Sequence, residues 1–187
     1  MVRLLLILFL FLPYQAFAEQ SQDAVQVERA NVGFNIFSKV CFMMQSESGS
    51  DKRIEFLNSK FPTFEDEKAA VFKDMFRVEN GTVWAANFPK GNFVVVVDSD
   101  TDNCHLLAQK ADAETLHENL KGLYNTAQAK LDRLSFRYHP PALNGKLKSS
   151  GFEILGPNER VFTIVTISTA LNPQANKPES LMSLVVQ

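Results

Sequence analysis

Cys41 and Cys104 are the only cysteines in the chain, and they lie in segments of opposite periodicity. Around Cys41, the residues Ile36, Phe37, Val40 and Met44 recur at spacings of three and four, which is the pattern of one helix face. Cys104 opens Cys104-His105-Leu106-Leu107-Ala108, an apolar run behind a polar turn that reads as a strand. A bond between them would staple an N-terminal helix to a sheet. It would close a loop of roughly 64 residues, worth about 4 kcal/mol in the chain-entropy model.

Whether that bond forms depends on the compartment, and the first residues bear on that. Arg3 precedes an unbroken apolar run from Leu4 to Leu12, Pro13 breaks the run, and Ala16-Phe17-Ala18 sets small residues at the positions flanking a cut. This pattern predicts a cleaved signal peptide over residues 1–18. A membrane span needs about twenty apolar residues, more than this run offers. No cysteine near the cut could take a lipid anchor, and no later segment is long and apolar enough to span. The expectation is a periplasmic or secreted protein, with a flexible or loosely helical N-terminal lead over 19–30 and a single α+β domain over 31–187. In an oxidising compartment an even cysteine count predicts a disulfide, and the Cys-x-x-Cys spacing of a redox pair is absent.

Charge bears on partners. Nineteen Lys and Arg stand against 21 Asp and Glu, a formal net charge of −2, so there is no general attraction to nucleic acid or anionic lipid. The apolar fraction of 45% provides for a core and argues against disorder.

The patterning predicts the elements in turn. Ser46 to Ser50 reads as a loop, followed by a short helix with Ile54, Leu57 and Phe61 inward. Thr63 and Asp66 resemble a capping box for a helix carrying Val71, Phe72, Met75 and Phe76. Asn80-Gly81 suits a hairpin turn before Thr82-Val83-Trp84-Ala85, and four consecutive valines (Val94 to Val97) predict a strand covered on both faces. Asp112 caps a long helix with an apolar stripe of Leu116, Leu120, Leu123, Tyr124, Ala127 and Leu131. His139-Pro140-Pro141 and Asn144-Gly145 mark a long connection. Strands follow over Gly151–Leu155, Arg160–Thr169 and Leu181–Val186. The fold expected is α+β: an antiparallel sheet of about five to six strands, with N-terminal helices and one long central helix packed on one face.

Candidate chemistry is sparse. Asp98, Asp100 and Asp102 alternate along a turn, as calcium ligands do, although Asn103 and Gln109 replace the glycine and glutamate of an EF-hand loop. Calcium is thus the one cofactor considered; the competing reading is a solvated hairpin tip. Trp84, Phe88 and Phe93 suggest an aromatic binding platform, against a reading as core. His105, His117 and His139 lack zinc-site spacing, and each is expected to be a surface or partly buried structural residue, with His117 on the polar side of its helix. There is no Gly-x-Ser-x-Gly elbow, no Gly-x-Gly-x-x-Gly and no phosphate-binding loop. Glu79, Asp98, Glu114 and Glu153 could join a carboxylate pair for glycoside hydrolysis only by converging in space.

The segments Phe37 to Cys41, Gly81-Thr82-Val83-Trp84, Gly91-Asn92-Phe93-Val94-Val95-Val96, Cys104 to Asp112, Ile167-Ser168-Thr169 and Leu181-Met182 resemble a family of small, uncharacterised exported proteins of proteobacteria, some of them lipoproteins. The resemblance implies a bacterial, periplasmic setting and supports the Cys41–Cys104 bridge. It brings no catalytic residue, and this chain lacks the cysteine that anchors the lipoproteins. The function expected is a non-enzymatic binding protein of the cell envelope, with a protein or other envelope component as partner. The alternative is an envelope-directed hydrolase.

Overall fold

A computed structural model describes residues 23–131, 133–171 and 179–187, with the backbone alone for 43–51. The signal peptide expected over 1–18 lies outside the described residues. Helix α1 covers 23–37 and passes through a π-helical turn, Ser38–Met43, into α2, Met44–Lys60. The loop expectation for this region changes, and the lead takes the helical of its two expected forms where it is described. Residues 23–30 are helical, and Ala30 is fully buried. The loop foreseen at Ser46–Ser50 is helical backbone, because Cys41 on one side and Leu57 on the other are both pinned in the core. Tertiary anchoring there overrides the poor helix propensity of Ser and Gly.

Helix α3, Asp66–Phe76, leads into the strands β1 (Gly81–Phe88), β2 (Gly91–Asp98) and β3 (Cys104–Ala108). Helix α4, Ala113–Lys130, crosses to β4 (Ser135–Asn144), β5 (Leu147–Leu155), β6 (Val161–Ala170) and β7 (Ser180–Val186). All seven strands pair antiparallel in the order β1-β2-β3-β7-β6-β5-β4. Two meanders therefore join at the centre, where β7 zips onto β3 from Cys104↔Leu184 to Ala108↔Ser180.

Strand alternation sorts the side chains into two cores. Trp84, Phe93, Val95, Val97, Leu106, Phe152, Ile167 and Met182 face α1, α2 and α4, where Phe34, Phe37, Leu57, Leu116 and Leu120 meet them. Val83 and Val96 face the other way, onto Ala69, Phe72 and Phe76 of α3. The helices are thus not confined to one face: α3 covers the reverse side of the first meander. The valine run is buried from both sides for this reason.

Local chemistry accounts for several junctions. Asp112 Oδ1 accepts from the Thr115 N–H and hydroxyl, so α4 is capped as expected. At α3 the capping-box expectation fails: Glu65 is the N-cap without a side-chain bond, and Thr63 instead forms a bridge with Trp84. Asn80-Gly81 turns no hairpin, because a helix and not a strand precedes β1. Gly81 is needed for close approach, since a Cβ there would lie 2.6 Å from the Val97 carbonyl oxygen. Gly33 lets α1 settle on β2, where a Cβ would meet the Phe93 ring at 2.7 Å.

The connection foreseen at residues 139–145 is largely strand β4. Its two prolines fall at a register shift between His139 and Ala142, on an edge strand whose outer N–H groups need no partner.

Candidate functional site

The disulfide expected from the sequence is present. Cys41 of the π-turn bonds Cys104 at the head of β3, with Cα atoms 5.4 Å apart and both residues fully buried. It fastens the α1–α2 junction over the middle of the sheet.

The three aspartates of the β2–β3 turn stay apart. Asp98 is buried and accepts from the Asp100 N–H and the Thr101 hydroxyl, which makes it the internal brace of the turn. Asp100 accepts from the Asn80 side-chain amide at 2.7 Å. Asp102 pairs with Arg53 of α2 at 3.2 Å. Among the described residues no three acidic, His or Cys side chains gather as a metal site.

The aromatic platform is likewise not assembled. Trp84 is fully buried, its Nε1 donating to Asn58 Oδ1 at 2.9 Å, and Phe93 is buried beside it. A ring with no exposed face has nothing to offer a ligand. Phe88, half-buried, lines a surface groove.

Two histidines are more deeply buried than their neighbours in sequence suggested. His105 lies between the sheet and α3, its Nδ1 2.9 Å from Ser183 Oγ and its ring stacked on Phe76 at 4.3 Å. Burial pulls its pKa down to about 4, against the raising effect of Asp98. His117 turns inward from α4, with Nδ1 2.6 Å from Ser150 Oγ and Nε2 3.2 Å from Thr169 Oγ1. Burial and then Lys148 lower its pKa, and Glu114 opposes them. It was expected on the polar side of the helix; two facing hydroxyls satisfy both ring nitrogens and let it enter the interior. His139 is exposed and faces Glu153 Oε1 at 3.2 Å.

The carboxylates are engaged elsewhere: Glu153 with Arg137, Glu114 with Lys148, and Asp98 with its own turn. Glu79 is exposed just before β1.

The structure brings together a different set of residues. A groove of about 550 Å³ runs between α1, the end of α2 and edge strand β1. Ile36, Val40, Phe56, Phe61, Ala85 and Phe88 supply apolar walls, and Phe61 and Phe88 meet edge to face at 5.8 Å. Lys39 and Lys60 stand at this groove, with Asn35 and Asn87 beside them, and no acidic side chain among the described residues lines it. The Lys39 ammonium lies 5.2 Å above the Phe56 ring, a cation–π contact that holds the charge at the apolar wall. Apolar walls with a few placed polar groups are the general form of a ligand site, and this volume falls within the ordinary range of roughly 300–1,000 Å³.

Sequence patterning could not single out these residues. Ile36 and Val40 carry the same helical spacing as the core residue Phe37, and Phe88 belongs to the same strand as buried Trp84. Periodicity marks the inward face of an element but not whether another element covers it.

Compared with protein-family models, with curated proteins and with solved structures, the chain matches none. The functional reading therefore rests on the fold and this groove.

Proposed function

We propose that the chain is an exported, non-enzymatic binding protein of the bacterial cell envelope, which receives an apolar part of its partner in the groove between α1, α2 and β1. The groove is the observation that carries the reading: its walls are apolar, its polar groups are two lysines and two asparagines, and among the described residues no Ser, Cys, His or carboxylate lines it to do chemistry. The disulfide supports an oxidising compartment, in keeping with the leader-like N-terminus. Among the described residues no helix is long and apolar enough to cross a membrane.

The test is site-specific photocrosslinking in bacteria exporting the full chain, from Asn87 in the groove and from Glu118, exposed on α4. A discrete product from Asn87 that is missing from Glu118, and is lost when Ala85→Trp fills the groove, supports the reading. Equal products from both positions, or products indifferent to Ala85→Trp, overturn it. Fractionation of the same cells reads the location directly. Recovery of the chain in the cytoplasm with its leader intact would refute export.

A further inference from the structure

We propose that the occupant of the groove is a single-chain amphiphile with an anionic head, of which a long-chain carboxylate is the simplest member. This inference rests on the groove being the binding site and names the chemistry it selects. The sign of the head follows from the lining: two ammonium groups, Lys39 and Lys60, and among the described residues no carboxylate to neutralise them. Lys39 is held over the Phe56 ring, so a cation waits at the boundary between the apolar wall and water. Among the described residues neither lysine forms a salt bridge, whereas Lys90 and Lys148 do. Asn35 and Asn87 add neutral donors beside the charges.

The nature of the tail follows from the backbone next to the groove. β1 is an edge strand, and a peptide entering here would satisfy its own N–H and C=O groups by extending the sheet. Part of that edge, at Val83 and Ala85, is already occupied. Phe64 N–H donates to the Val83 carbonyl, and the Ala85 N–H donates to the Pro62 carbonyl, both at 2.9 Å. A peptide lying against Ile36, Val40, Phe61 and Phe88 would find few partners for its backbone. An acyl chain carries no backbone polar groups and meets only the apolar side chains it needs. The folding of Pro62–Phe64 onto β1 therefore shortens the edge open to strand addition and leaves beside it a trough suited to hydrocarbon.

The experiment uses the full chain purified from the exporting host with its disulfide formed. Laurate, dodecanol and an acidic amphipathic peptide are titrated below the micelle threshold, with neutral Nile red as a reporter of the apolar walls. Laurate should bind saturably at one per chain and displace Nile red. Lys39→Gln/Lys60→Gln should weaken laurate at least tenfold while leaving Nile red bound, and the α4 control Lys121→Gln/Lys130→Gln should change neither. If laurate and dodecanol bind alike and the groove lysines do not matter, the anionic head is refuted and the groove survives. If Nile red binds and only the acidic peptide displaces it, the ligand class is overturned and the groove again survives. If Ala85→Trp alters neither Nile red nor laurate, the groove itself is wrong and both readings fall together.

Discussion

His105 makes the stability of this protein dependent on pH over a defined window. The imidazole is 7% exposed, sandwiched between the sheet and the Phe76 ring, and its pKa falls from 6.5 to about 4 because burial penalises the cation more than Asp98 favours it. An unfolded chain takes up a proton on His105 near pH 6.5, whereas the folded chain refuses it until about pH 4. Within that window the unfolded state binds more protons, so stability falls as pH falls; above it the group contributes no slope. A difference of 2.5 units, at 1.36 kcal/mol per unit, sets the loss at about 3 kcal/mol between pH 7.5 and pH 4.

The assay is urea unfolding followed by the fluorescence of Trp84, the only tryptophan, in the wild type and in His105→Gln. Glutamine keeps a polar group near Ser183 but has no proton to gain. The wild type should lose about 3 kcal/mol more than the variant across the window, and the two should run parallel above pH 7.5. The remaining ionisable groups are common to both proteins, so their contributions cancel in the difference. Parallel curves throughout would show that His105 is hydrated or already protonated in the fold, and would refute the burial argument.

Three further outcomes are expected. Reduction of Cys41–Cys104 should lower the unfolding free energy by up to about 4 kcal/mol, and Cys41→Ser/Cys104→Ser should be equally weak and indifferent to reductant; insensitivity of the wild type would mean that the bond is not formed. Arg53 is fully buried, and its Nε and Nη1 lack hydrogen-bond partners among the described residues, while Asp102 is 44% exposed and can hydrate alone. Arg53→Met should therefore be neutral or stabilising by about 1–3 kcal/mol, and a clear loss of stability in the same urea assay would contradict this. Asp112→Ala removes the cap on α4 and should cost about 1 kcal/mol, read by the shift in urea midpoint.

Much of this fold was legible in the chain because its signals are local or pairwise. The stripe from Leu116 to Ala127 and the cap at Asp112 specify α4 within their own turns. The β-branched run of β6 and the four valines of β2 need only the period of two. The disulfide was legible in an even cysteine count read beside the leader-like pattern of the first residues. Other features depend on distant partners. β4 carries two prolines that read as a loop until β5 is there to pair it and the bulge absorbs them. His117 reads as polar surface until Ser150 and Thr169, from β5 and β6, present hydroxyls to both ring nitrogens. α3 has an amphipathic pattern that cannot say which side of a sheet it will cover. The groove arises because α1, α2 and β1 leave a gap that the Cys41–Cys104 staple and the docking of Pro62–Phe64 on β1 hold in place. A gap between elements is a property of their arrangement, and only the tertiary structure decides it.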